Sequence, residues 1–170
     1  MDYTLWPYFC DVHVTPPITK RKINNQESVV DSAGFLVRGF DEVTKILHTL
    51  KEHCLDENQH LAIASRSTTY DLCMQSIELL NWKQYLSSFQ IYDRNKTNHM
   101  NAIKKELKFE NFEEILFFDD DYSNIKSTSS IGVFAYEVDQ SKGVNIAAVI
   151  DALSKYSSNT GSNGHHLLNF

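Results

Sequence analysis

An α/β fold with a doubly wound parallel sheet is the class this sequence predicts, and three observations predict it. Short apolar runs at 60–65, 89–92, 114–118 and 132–138 are too brief for helices and suit buried strands. The first, second and fourth are each followed by a stretch whose apolar residues recur three and four apart, the spacing of an amphipathic helix. Strands that alternate with helices pair in parallel, through right-handed crossovers that lay helices on both faces of the sheet.

Taken in order, residues 11–39 interrupt this alternation. Pro16-Pro17, a polar stretch, and β-prone pieces at 28–31 and 35–37 around Ser32-Ala33-Gly34 predict a small hairpin insertion. Phe40, Val43, Ile46, Leu47 and Leu50 then share one face of a helix over 40–54. Leu61-Ala62-Ile63-Ala64 is the first clear strand, and Thr68 or Thr69 can cap the next helix, which carries Leu72, Cys73, Ile77 and Leu80. After a strand at 89–92, the polar loop Asp93-Arg94-Asn95-Lys96 leads into a helix with Met100, Ile103 and Leu107. The strand at 114–118 stops at three aspartates, and the run at 132–138 precedes a helix bearing Ile146, Val149, Ile150 and Leu153. No internal repeat is present. Residues 1–156 read as one domain, and the Ser, Asn, Gly and His of 157–170 as a disordered tail.

Composition narrows the partners. A chain of 170 residues, 42% apolar, buries one substantial core. A net charge of -6 favours solubility and argues against a nucleic-acid binder, and Lys20-Arg21-Lys22 reads as a solvated loop. Cys10, Cys54 and Cys73 are odd in number and widely spaced, as expected of reduced thiols; no apolar run reaches the roughly 20 residues of a membrane span, and no secretory signal opens the sequence. A cytoplasmic protein is expected, with no membrane partner. The histidines and cysteines never fall into zinc spacing. Oligomeric state is left open.

In parallel α/β sheets, ligands bind at the carboxyl ends of the strands. Asp2, Ser65, Lys96 and Asp119 to Asp121 all fall at such ends or in the loops just past them. Together they suit phosphoryl transfer. Asp2 offers a carboxylate for general acid-base work, Ser65 a hydroxyl donor, and Arg66 a planar fork for substrate oxygens. Lys96 offers a fixed positive charge and Asp120 a hard oxygen for Mg2+. Each has a plainer reading: a helix cap for Ser65, a surface side chain for Lys96, a surface ion pair for Arg66, a solvated turn for the aspartates.

DYTLWP at 2–7, ASR at 64–66, NKTNH at 95–99 and FFDDDYSNI at 117–125 resemble the four motifs of the magnesium-dependent phosphatase family of the haloacid dehalogenase (HAD) superfamily, and DVHVTPP at 11–17 resembles the run into its small cap. The resemblance spans about residues 1–155. It implies a Rossmann-like sheet and a Mg2+-dependent phosphomonoesterase working through an aspartyl-phosphate, on protein phosphotyrosine or on sugar and fructosamine phosphates. It further implies that Asp2 is the acid-base residue whose backbone carbonyl also binds the metal. Ser65 and Arg66 match the phosphate and substrate contacts, Lys96 the charge-balancing lysine, Asp120 the side-chain metal ligand, and Asp119 its supporting neighbour.

The family's first motif reads DLDYT, so its nucleophilic aspartate would fall just before Met1, together with the central first strand. On that reading the chain is N-terminally truncated and expected to be nearly inactive by itself. A non-catalytic phosphate-binding protein is the alternative. A receiver domain fits less well, because there the acidic pair comes first.

Overall fold

The computed structural model describes residues 1–159 as a mixed α/β fold. Chain order is α1 (Cys10–His13), β1 (Thr19–Ile23), β2 (Gln26–Val30), α2 (Val43–Thr49), β3 (Ala62–Ser65), α3 (Tyr70–Leu79), β4 (Ser88–Ile91), α4 (Lys96–Leu107), β5 (Leu116–Asp119), α5 (Tyr122–Ser129), β6 (Phe134–Glu137) and α6 (Ile146–Asn159). α2 continues as a π-helical turn over Leu50–Cys54, so the expected helix is present but starts three residues late. No helix among the described residues is long and apolar enough to cross a membrane.

The hairpin lies earlier than predicted. β1 and β2 pair antiparallel from Thr19↔Val30 to Ile23↔Gln26, and the two-residue loop between them is Asn24-Asn25, with φ of 50° and 65°. That loop needs positive φ at both positions, and asparagine accepts it more readily than most residues. The pairing expected across Ser32-Ala33-Gly34 shrinks to one bridge, Val30↔Leu36. Asp31 displaces it. Its buried carboxylate accepts the backbone N–H groups of Thr15 at 2.7 Å, Ala33 at 2.9 Å and Phe35 at 2.7 Å, which fold the segment into a turn around it.

The four predicted strands appear as two parallel pairs, not as one sheet. β3 pairs with β4 and β5 with β6, and among the described residues no strand joins β3 to β5. The edges that each pair leaves open both line one cavity of about 1480 Å³. Successive residues Leu61 to Ala64 and Glu113 to Phe118 face it, as a strand edge presents itself, where a sheet face would contribute every second residue. Met1, Thr4 and Leu5 also line the cavity.

Three apolar clusters surround this frame. The largest joins Trp6, Trp82, Val43, Ile77 and Cys73; a second packs Met100 and Ile103 of α4 against Ile115 and Phe117; a third packs Ile46 of α2 against Val138, Val144 and Val149. Ile150, assigned to the buried face of α6, is instead 53% exposed. α6 runs on to Asn159, so residues 157–159 of the expected tail are helical; the rest of that tail lies outside the described residues.

Candidate active site at the strand ends

Met1 anchors the first loop. Its carbonyl accepts the N–H groups of Thr4 at 3.1 Å, Leu5 at 2.7 Å and Trp6 at 3.3 Å, which curls the loop and sets Tyr3 at φ 49°. Asp2 is half-buried, and its Oδ1 accepts Trp6 Nε1–H at 2.7 Å and the Cys10 N–H at 3.2 Å. Thr4 Oγ1 lies 3.2 Å from the Asp2 carbonyl and 2.9 Å from Asp120 Oδ1. A hydroxyl carries one proton, so it can donate to only one of these oxygens at a time.

Lys96 is not a surface lysine. It opens α4, where a loop was expected, and is 4% exposed. Its Nζ donates to the Ala64 carbonyl at 2.6 Å and pairs with Asp119 Oδ2 at 3.1 Å, so the ends of β3 and β5 meet at one ammonium. His99, one turn further, sets the loop before it. Its ring stacks on Tyr92 at 4.3 Å, and its two nitrogens face the carbonyls of Asn95 and Tyr92 at 3.1 and 3.0 Å. Burial lowers its pKa, and the charge of Lys96 pushes the same way against those carbonyls.

The aspartates divide the work. Asp119 is buried, with Oδ1 accepting Asp121 N–H at 3.0 Å and Asn124 Nδ2–H at 2.9 Å while Oδ2 faces Lys96. Asp121 caps α5 by accepting Ser123 N–H at 2.7 Å, and hydrogen bonding from the Ser123 side chain first, then from its N–H, holds the carboxyl below the usual range against its burial. Asp120 is the one turned toward Thr4. Burial raises its pKa, opposed by the Thr4 hydrogen bond and supported by the charge of Asp119.

Ser65 is 2% exposed, and its Oγ accepts Ser67 N–H at 3.2 Å, so part of its hydrogen-bonding capacity serves the local turn. Its carbonyl accepts Tyr92 N–H at 3.1 Å, which ties it to the loop that leads into α4 and Lys96. Thr69 does precede α3, but its side chain makes no cap bond; it pairs with the Ser67 hydroxyl instead. Arg66 is exposed, and its charge reaches Asp121.

Asp2, Lys96, Asp119 and Asp120 thus stand in two short hydrogen-bonded chains at one end of the strands, with Ser65 next to Ala64; Arg66 stands outside, on the surface. The reading by residue type passed over Thr4, Trp6 and Asn124. All three lie inside the quoted motifs, but a threonine, a tryptophan and an asparagine carry no charge that marks them as parts of a site. Among the described residues no group of three or more His, Cys, Asp or Glu side chains is arranged to hold a metal ion. The hard oxygens gathered around Thr4 are the Asp120 carboxylate and the Asp2 carbonyl. That sparse set suits Mg2+, which keeps several of its waters and takes one or two carboxylates.

A family model described as Acid Phosphatase matches residues 1–159. Human Magnesium-dependent phosphatase 1 is 30% identical over 156 residues, covering 92% of this chain and 83% of that protein. A HAD-like hydrolase superfamily protein of Schizosaccharomyces pombe is 25% identical over 159 residues, covering 88% of each.

Proposed function

Because the chain belongs to the acid phosphatase family, we propose that it serves as a Mg2+-dependent phosphomonoesterase whose reacting phosphate lies among Asp2, Ser65, Lys96 and Asp120. One observation carries the reading: a buried lysine is held at the ends of two strands by the Ala64 carbonyl and Asp119, and Asp120, the next residue, meets Thr4, which also lies within reach of the Asp2 carbonyl. A phosphoryl group in transfer spreads negative charge over its equatorial oxygens, so fixed cations and oriented donors lower its barrier.

The residues have separate tasks. Lys96 offsets the charge of the phosphoryl oxygens, and its bonds to Ala64 and Asp119 hold it without reorganisation. Ser65 donates to a phosphate oxygen, and Arg66 reaches outward for the rest of the substrate. Asp2 passes a proton to the leaving oxygen and takes one from water. Asp120 and the Asp2 carbonyl would hold Mg2+, which when bound supplies positive charge to the phosphoryl oxygens. In the DLDYT motif that the opening residues resemble, the phosphoryl-accepting carboxylate stands two residues ahead of the aspartate that Asp2 matches. Protein phosphotyrosine and sugar or fructosamine phosphates are the proposed substrate classes.

The test is hydrolysis of para-nitrophenyl phosphate with Mg2+, by the chain as given and by one extended upstream with an apolar strand ending in Asp-Leu. Mg2+-dependent turnover by the extended chain, lost with Asp2→Asn, supports the reading. No turnover by the extended chain despite vanadate binding would favour a non-catalytic phosphate binder. Robust turnover by the chain as given, abolished by Asp2→Asn, would show that the phosphoryl acceptor does not lie upstream.

A further inference from the structure

Two tryptophans lie fully buried in the main core and stack on each other at 6.1 Å and 15°, yet their indole N–H groups go to different kinds of partner. Trp82 donates to the neutral hydroxyl of Thr44 at 2.8 Å, an ordinary way to satisfy a buried donor. Trp6 donates at 2.7 Å to the half-buried carboxylate of Asp2. Two rings stack against its own, Trp82 and, parallel at 5.5 Å and 1°, Tyr8. Tyr8 in turn meets Phe35 of the 11–39 insertion edge-on at 5.2 Å. The donor cannot swing without moving the column.

Both bonds to the carboxylate, from Trp6 Nε1 and from the Cys10 N–H, end on Oδ1. They fix the plane of the group and assign the exchange of protons to Oδ2. Resting on the phosphatase reading above, we propose that Trp6 is a positioning residue for the reaction: it aims the Asp2 carboxylate from a rigid aromatic column and touches no substrate itself. A group held to one geometry reacts faster than one that must be found there, and a misplacement of about 1 Å can lower a rate roughly 100-fold.

The first test needs no activity. With 15N-labelled tryptophan the chain gives two indole N–H signals, assigned with Trp6→Phe. Asp2→Ala is expected to move the Trp6 signal and leave that of Trp82 in place; an unmoved Trp6 signal overturns the proposal. The second test uses the chain extended upstream. Trp6→Phe keeps an aromatic ring in the column and removes the donor, so kcat for para-nitrophenyl phosphate should fall about 10- to 100-fold with KM within about two-fold. A folded Trp6→Phe with kcat within about two-fold of the parent, or with its loss confined to KM, overturns it too. If Trp6→Phe does not fold, the indole shift in Asp2→Ala decides. If the extended parent hydrolyses nothing, the phosphatase reading has failed, while the shift still reports whether Trp6 holds Asp2.

Discussion

Replacing Lys96 by methionine tests the site through stability. The lysine and Asp119 are 4% and 5% exposed in their side chains, and Nζ also satisfies the Ala64 carbonyl. Methionine fills much of the same space but leaves a buried carboxylate without its cation. Breaking a buried ion pair from one side costs about 3–5 kcal/mol. Asp119 keeps its bonds from Asp121 N–H and Asn124, which soften the loss, while the orphaned Ala64 carbonyl adds to it. The lower end of the range, about 3 kcal/mol, is therefore expected, equivalent to a melting point lower by roughly 6–12 °C in a chain of this size. Urea unfolding of the parent, Lys96→Met, Asp119→Asn and the double variant measures both the loss and the coupling between the partners. A loss under about 1 kcal/mol, or single losses that simply add, would refute the buried-pair argument.

Other perturbations reach the rest of the frame. Burial pushes the Asp31 carboxyl up, but backbone N–H groups outweigh it and hold the pKa below the usual carboxylate range. Its stabilisation is therefore complete above the unfolded value near 4 and lost as pH falls through the lower folded value. Asp31→Asn should cost about 2 kcal/mol at pH 7, with a gap to the parent that closes below about pH 4 in urea titrations at each pH. Gly143 has φ 58°, and a Cβ there would meet the Phe40 ring and come within 2.6 Å of the Thr4 carbonyl. Gly143→Ala is expected to cost about 2–3 kcal/mol in thermal melts. Thr4→Val removes the hydroxyl between Asp2 and Asp120; calorimetric titration of the extended chain should show weaker Mg2+ binding, about 10-fold.

Helices were legible wherever an apolar face recurred at helical spacing, because burial of that face makes the helix. α3 and α4 follow Leu72, Cys73 and Ile77 or Met100 and Ile103 closely. Strands were legible as runs but not as partners: nothing local in Leu61 to Ala64 tells which edge stays open. The hairpin turns at Asn24-Asn25 and not at Ser32-Ala33-Gly34, because the buried Asp31 carboxylate folds the second segment into a turn of its own and bonds across 16 residues to Thr15. In the site, the charged members could be named from their types. Which of three consecutive aspartates faces Lys96, which caps a helix and which meets Thr4 depends on backbone direction at the end of β5, and only the fold fixes that.

The open edges of β3 and β5 foretell an unusual isotope pattern. Amide hydrogens along a strand point left and right by turns, and here only one side has a partner strand. Deuterium should therefore enter at alternate positions of Ala62–Ser65 and Leu116–Asp119 on the timescale of exposed loops, while their neighbours wait for β3 to leave β4 or β5 to leave β6. The same strand would carry fast and slow labels in alternation.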